Sequence, residues 1–436
     1  MAQVKTLDAS LATGAVAIVD GAAPDYGLLT DLLEERIQSI PRCTQLLRTQ
    51  NFEWIDCPEF DLTHHVRRVA IPRPGDEAGL SLAIAHALER PLDPDRPLWE
   101  CWVIEGLKGN RWAILMKIHH FLADGNSAAH VLTRLCDDAD SDMFTNHIDG
   151  EHVSAPAQKP ALADALERAV ALAGTLVGAM WPAARHSVDP VTTIMRRYAT
   201  VRVPIADVDR VCRKFGVTAN DVALAAITEG FRSVLLRRGE EPRADSLRTL
   251  VPTPVRSAML SFLPVEHDDP VERLRTVHNR SKVKQDQPSG GIVESAINFL
   301  PTVLRSNLVQ LLARLPQSGI VTLATNAPGP RHQLRLMGRT LERLLPIPPT
   351  ASQLSTGVAV LSYGDEVVFG ITTGYDAAAD VKQLTAGIEL GMARLVALSQ
   401  DSVLLFGKDH RRKRAARAFP GYGQRPRPSA PRPARH

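Results

Sequence analysis

The sequence predicts an α/β fold built as two successive halves, joined by a surface connection and followed by a basic tail. Three observations carry this reading. The 436 residues exceed the roughly 250–300 at which a single core stops growing. Strand and helix periodicities alternate twice, on either side of a stretch at 137–160 that is acidic, then Pro- and Ala-containing, with little periodicity. The 44% hydrophobic and 23% charged composition is that of a soluble globular chain, which excludes wholesale disorder, a collagen-like repeat and a coiled-coil fibre.

The first half opens with a strand at 15–19. Residues 28–38 (LLTDLLEERIQ) then carry apolar side chains at helical spacing, with Pro41 marking the exit. Residues 80–90 read as a second helix. A strand at 101–106, a Lys-Gly-Asn turn at 108–110 and a strong strand at 111–120 read as a hairpin. Beyond Gly125, the apolar residues Ala128, Val131, Leu132 and Leu135 restore a helical period. After the connection comes a helix at 161–181, whose Ala169–Pro182 portion is uncharged. Its 14 residues fall short of the ~20 needed to span a bilayer, so it reads as a buried or interfacial segment.

The second half begins near Thr192. Pro204 and Ile205 precede Asp207, which is expected to cap a helix running to about Phe215. Thr218 is expected to cap the next helix, with Val222, Ala225, Ala226 and Phe231 apolar. Residues 247–252 and 320–325 resemble strands. Residues 357–363 and 366–372 flank Gly364-Asp365, a good hairpin turn. Asp380 is expected to cap a long last helix to about Gln400. The boundaries expected from this pattern are 1–145, a linker and connecting helix at 146–190, 191–405, and a tail at 406–436.

The formal charge of +3 conceals an uneven distribution. Residues 408–436 hold ten Lys or Arg against Asp409 alone, a charge of +9, while the remaining 407 residues hold 41 basic and 47 acidic side chains, a charge of −6. The stretch from Pro420 to Pro433, rich in Pro and Arg, is expected to be disordered. It carries little aromatic interleaving and no recognition motif, so nucleic-acid binding is not expected. The five cysteines are scattered and form no C-x-x-C pair, which fits a reducing compartment and argues against a zinc site. Met1–Ser10 lacks the apolar core of a signal peptide. A cytoplasmic location is expected, with peripheral contact at the inner face of the membrane as its extension.

The chemistry is concentrated in Lys117-Ile-His-His-Phe-Leu-Ala-Asp-Gly125. In a strand, Trp112, Ile114, Met116, Ile118 and His120 share one face, and Ala113, Leu115, Lys117 and His119 the other. Neighbouring histidines at a strand end therefore point apart. That argues against one metal bound by both and for different roles, one ring facing a cavity as a base and the other packed inside. A second pair, His64-His65, lacks the following Asp-Gly and receives no catalytic role.

The H-H-x-x-x-D-G pattern resembles the signature of acyl-CoA-dependent acyltransferases related to chloramphenicol acetyltransferase and to peptide-synthesis condensation domains. Further segments resemble the bacterial wax ester synthase/diacylglycerol acyltransferase family. They are Pro91-Leu-Asp-Pro-Asp-Arg-Pro-Leu-Trp-Glu100, Asn220-Asp221, Val251-Pro-Thr-Pro-Val-Arg256, Thr325-Asn-Ala-Pro-Gly-Pro330 and Leu361-Ser-Tyr-Gly-Asp365, then Phe369-Gly370 and Asp376. They occur in the family's order from about residue 28 to 400. Three departures stand out: a shorter segment before the strand at 15–19, a direct passage from Arg256 to Ser257-Ala-Met-Leu, and Asn-Ala-Pro-Gly-Pro for the usual Asn-Val-Pro-Gly-Pro.

The resemblance implies two chloramphenicol-acetyltransferase-like subdomains with the active site in a tunnel between them. It implies ester formation from acyl-CoA and an alcohol: diacylglycerol first, giving triacylglycerol, and a long-chain alcohol second, giving wax ester. His120 is then the general base. His119, Asp124 and Gly125 support it, with Asp124 paired to Arg256 ahead of Arg42. Asn220 would donate to the oxyanion or order its helix, and Pro97, Leu98 and Trp99 would line the tunnel. No G-x-S-x-G elbow is present, so direct transfer without an acyl-enzyme is expected. Acyl-CoA serves as co-substrate, and neither a metal nor a resident cofactor is required. An anionic membrane or a lipid droplet is the expected peripheral partner. Two alternatives stay open: transfer to another lipid or polyketide alcohol, and a degenerate member that binds acyl chains without turnover.

Overall fold

Strand-forming segments of the first half are β1 (Ala12–Asp20), β2 (Gln45–Arg48), β3 (Glu53–Asp56), β4 (Val66–Ala70), β5 (Trp99–Leu107) and β6 (Arg111–His119), interleaved with helices α1 (Tyr26–Ile37), α2 (Glu77–Glu89) and α3 (Ala128–Thr133). The second half supplies β7 (Arg196–Pro204), α4 (Ile205–Phe215), α5 (Ala219–Arg237), β8 (Arg248–Pro252), β9 (Ala258–Phe262) and α6 (Pro270–Asp286). It continues through β10 (Ile320–Ala327), β11 (Arg335–Leu336), β12 (Arg339–Ile347), β13 (Thr356–Tyr363), β14 (Glu366–Gly374) and α7 (Ala378–Gln400). The computed structural model describes residues 12–40, 42–48, 53–119, 122, 128–138, 195–244, 246–252, 258–286, 320–327, 329–330, 332–348 and 356–400. The expected linker and helix at 146–190 and the tail at 406–436 lie outside the described residues.

The helices form where caps and apolar spacing coincide. Asp25 accepts from the amides of Gly27 and Leu28 at the start of α1, which buries Leu29, Leu33 and Ile37 one turn apart. Thr218 and Asp221 close a reciprocal capping box at the start of α5, with N–O distances of 3.1 and 3.2 Å. Gly216 ends α4 in the left-handed region at φ +67°. Two expected caps are corrected. Pro204 occupies the N-cap of α4, because β7 runs directly into the helix, and Asp207 sits in the first turn, paired with Arg210 at 2.7 Å. Asp380 likewise lies inside the first turn of α7, where it pairs with Arg238. Both carboxylates still face the positive end of a helix, which is why the sequence signal resembles a cap.

Two six-stranded sheets result, in the orders β11-β12-β1-β6-β5-β4 and β7-β14-β13-β10-β8-β9. The alternation in β6 divides as expected. Trp112, Ile114, Met116 and Ile118 enter the core beneath α1 and α3. Ala113 and Leu115 enter the core beneath α2, where Tyr198 and Val368 of the second sheet also pack.

The halves are not consecutive in space. Strand β12 leaves the second half and pairs antiparallel with β1, from Gly14 opposite Ile347 to Val19 opposite Leu341. The exchanged strand passes tightly over β7 and β14: Tyr198 of β7 donates its hydroxyl to the Pro346 carbonyl at 3.0 Å. A Cβ on Gly370 would stand 1.8 Å from that same carbonyl oxygen. The close approach explains why Phe369 is followed by glycine. Gly370→Ala must push β12 away from β14, and overpacking of this kind costs about 1–3 kcal/mol or more. Urea unfolding should show a lowered midpoint, and an unchanged midpoint would contradict the close approach.

Candidate active site

The end of β6 is anchored through its backbone. The amide of His119 donates to the Leu98 carbonyl at 2.8 Å, and Ile118 stands opposite Trp99 in the β5–β6 ladder. His119 is fully buried. His120, Asp124, Gly125 and Arg256 lie outside the described residues. Leu122 and the first turn of α3 pack into the core shared with Trp112 and Ile118.

Pro97, Leu98 and Trp99 are all buried. Trp99 packs in the core with Met116 and Ile118, and its indole N–H donates to the Cys43 carbonyl at 2.7 Å. Arg42, next to that carbonyl, adopts φ +72° and places its guanidinium 5.0 Å from the Trp54 ring centroid. The second histidine pair splits. His64 is exposed, whereas His65 is buried and stacked on Trp99, with ring centroids 4.4 Å apart. Burial holds the His65 imidazole below its ordinary pKa despite its hydrogen bond to the Trp99 carbonyl, so the ring is neutral.

The sequence reading missed a buried charge cluster on the face of β6 that His119 shares. Lys117 extends beneath the C-terminal end of α2, donating to the carbonyls of Ala87 (2.9 Å) and Arg90 (2.6 Å). Its ammonium pairs with Glu100 Oε2 at 3.0 Å. Glu100 also accepts from Trp102 Nε1 at 3.1 Å and from Arg90 at 3.2 Å, with Arg67 3.5 Å away. Burial holds Lys117 below its ordinary pKa, and Glu100 opposes that shift. A signal was present: Lys117 is the lone charge in an otherwise apolar run from Trp112 to Ile118, at an inward position.

Asn220 is the second residue of α5, in the other half of the chain. It is half-buried, and its Oδ1 is buried without a hydrogen-bond partner among the described residues. The adjacent Asp221 is buried and receives His278 Nδ1 at 2.8 Å. Burial pushes the Asp221 carboxyl up, but hydrogen bonds from His278, Thr218 and Ser281 prevail and hold it below the usual carboxylate range.

Two later motifs serve architecture. Gly329 donates its amide to Ser362 Oγ at 3.2 Å, and a Cβ there would stand 1.6 Å from the Ser362 carbonyl oxygen. The Tyr363 hydroxyl accepts from Leu334 N and donates to Leu341 O, both at 2.9 Å. The Asn-Ala-Pro-Gly-Pro and Leu-Ser-Tyr-Gly-Asp segments thus fasten the entry to β12 against β13.

Burial pushes the Cys43, Cys101 and Cys136 thiols up to about 12, which disqualifies them as nucleophiles. Among the described residues, no group of three or more His, Cys, Asp or Glu can hold a metal ion, and no helix is long and apolar enough to cross a membrane.

Residues 1–193 match the wax ester synthase/diacylglycerol acyltransferase catalytic domain, and residues 256–395 match the WS/DGAT C-terminal domain. A Mycobacterium tuberculosis (strain ATCC 25618 / H37Rv) protein, provisionally named a diacylglycerol O-acyltransferase, is 62% identical over 99% of each chain. A second protein of that strain, provisionally named diacylglycerol O-acyltransferase tgs1, is 44% identical over 90% of this chain and 92% of its own. The solved wax ester synthase/diacylglycerol acyltransferase from Marinobacter aquaeolei VT8 superposes with a TM-score of 0.63 at 24% identity, covering 89% of this chain and 95% of that one. A condensation domain of the calcium-dependent antibiotic synthetase gives a TM-score of 0.54 at 16% identity, over 91% and 94% of the two chains. The two structural likenesses establish a shared fold.

Proposed function

This chain belongs to the wax ester synthase/diacylglycerol acyltransferase family, and from that membership we propose that it moves a long-chain fatty acyl group from acyl-CoA to the hydroxyl of diacylglycerol, forming triacylglycerol. The observation that carries the chemistry is the anchored strand end. His119 is buried and its backbone is held by Leu98, immediately before His120 in the sequence.

His120 takes the proton from the acceptor hydroxyl as its oxygen attacks the thioester carbonyl. The tetrahedral intermediate then expels the CoA thiolate, which recovers that proton from the imidazolium. A neutral imidazole with a reference pKa near 6.5 suits both steps. Asn220 supports the reading as a donor to the oxyanion, and Gly125 as a point of close backbone approach. Asp124 holds the loop through an arginine. Arg256 is the partner that the motif order suggests, ahead of Arg42. Pro97, Leu98 and Trp99 back the tunnel wall. A long-chain alcohol is the second acceptor. The +9 tail suits peripheral contact with an anionic membrane or lipid droplet from the cytoplasm, at roughly 1 kcal/mol per nearby Lys or Arg.

The test incubates purified protein with labelled palmitoyl-CoA and diacylglycerol, hexadecanol or no acceptor. Labelled triacylglycerol is the expected product. Thioester hydrolysis without ester, or acyl binding without turnover, would overturn the proposal.

A further inference from the structure

His65 sits in a second histidine pair with no part in the reaction above, yet its contacts lead directly to the catalytic strand end. Its ring lies between two others, 5.4 Å from the Phe60 centroid at 29° and 4.4 Å from the Trp99 centroid at 19°. Its Nδ1 is 2.8 Å from the Trp99 carbonyl oxygen. A carbonyl only accepts, so the ring carries its proton on Nδ1. The His65 carbonyl in turn accepts from the Cys101 amide at 2.8 Å.

The contact to Trp99 falls just before the β4–β5 ladder begins. Its pairing starts at Val66 opposite Cys101, two residues beyond Trp99. The Trp99 carbonyl points to the same edge of β5 as the Cys101 amide but meets no β4 strand there. The His65 side chain supplies the missing donor. On the opposite edge, the Leu98 carbonyl holds the His119 amide at 2.8 Å. The peptide plane of Trp99 is thereby fixed on one side by His65, while its neighbour Leu98 fixes His119 on the other.

We propose that His65 is a positioning residue for the acyl transfer, holding Trp99 and Leu98 so that the strand end carrying His119 and His120 keeps its register and direction. The proposal rests on the reading that His120 is the base. An apolar ring can fill the same sandwich, but it cannot hold the Trp99 carbonyl, and this difference makes the role separable from packing.

Two variants test it. His65→Phe keeps the stack and deletes the N–H, whereas His65→Asn keeps a donor near the Nδ1 position and gives up the stack. A small displacement of a catalytic group lowers kcat about ten- to a hundredfold, and kcat should fall by a larger factor than KM for palmitoyl-CoA rises. His65→Asn should retain more turnover than His65→Phe at matched folded fraction, and His65→Phe should shift the acid limb of the kcat/KM profile. Imidazole 1H–15N spectra supply a readout independent of activity: the His119 signals should move in His65→Phe. If they do not move, or if any loss of kcat merely tracks the loss of folded protein, His65 is a packing residue and the proposal fails. Wild-type protein that forms no ester while the His119 signals still respond would overturn the transfer reading and leave the positioning intact.

Discussion

Replacing His120 with alanine is expected to lower ester formation by about 10²–10⁴-fold, the usual worth of a general base, with little change in the urea midpoint. The expectation rests on the roles proposed for the two histidines. His119 is fully buried and its backbone is tied to Leu98, so His119→Ala opens a hole in the core and should lower stability first, with activity following the folded fraction. In the proposed reaction His120 meets the acceptor hydroxyl, so its loss is expected to cost turnover rather than stability. The wild-type rate should fall on acidification, as the base is lost to protonation, and the residual His120→Ala rate should lack that acid limb. Retention of more than about a tenth of wild-type turnover would place the base elsewhere, because general-base assistance is seldom worth so little.

Local chemistry was readable from sequence wherever one residue type has one structural use. Gly364-Asp365 marked the β13–β14 hairpin, and Gly364 indeed takes φ +56°. Thr218 marked the start of α5 through a capping box, and the alternation from Trp112 to Ile118 assigned each side chain to its core. The errors at Asp207 and Asp380 share one cause: a carboxylate in the first helical turn is favoured by the same positive backbone end as a cap, so composition alone does not separate the two positions.

The exchange of β12 was invisible for a different reason. A strand's residues record which faces are covered, not which neighbour supplies its hydrogen bonds. Leu341 and Leu344 enter one core while Leu345 and Ile347 enter the other, a pattern either sheet can satisfy. The clue lay instead in Gly370 and Gly329, small residues whose necessity is apparent only once Pro346 and Ser362 are known to cross above them. At the site, motif order singled out the strand end with His119, but Lys117 read only as the start of that segment and Glu100 as the end of another. Their antiparallel pairing across β5 and β6 is a tertiary fact that no local window contains.

That pairing leads to the second large effect. Lys117→Met should destabilise the fold by about 3–5 kcal/mol, the cost of removing one member of a buried ion pair. Lys117 is fully buried, and its ammonium satisfies Glu100 together with two carbonyls at the end of α2. Methionine fills the volume but leaves the Ala87 and Arg90 carbonyls without this donor and Glu100 with one fewer cation. Glu100→Gln should also be costly, since it leaves the ammonium buried without its counter-charge. The double variant Lys117→Met, Glu100→Met should recover much of the loss, because a well-packed apolar pair of similar volume is often neutral relative to a buried ion pair. A pH dependence accompanies the single change. Lys117 sits below its unfolded value of 10.5, so just below that pH the unfolded chain holds a proton that the folded one has released. Wild-type stability therefore gains from this group as pH rises through that window and loses as pH falls back through the folded pKa; Lys117→Met should flatten the slope. Urea unfolding of the four proteins at neutral and alkaline pH decides the matter. Single variants that cost under about 1 kcal/mol, the range of a surface pair, would mean that the cluster does not hold β6 under α2. With costs in the predicted range, the strand end bearing His119 is fastened from two directions: by Leu98 through its backbone, and by Lys117 through the helix above it.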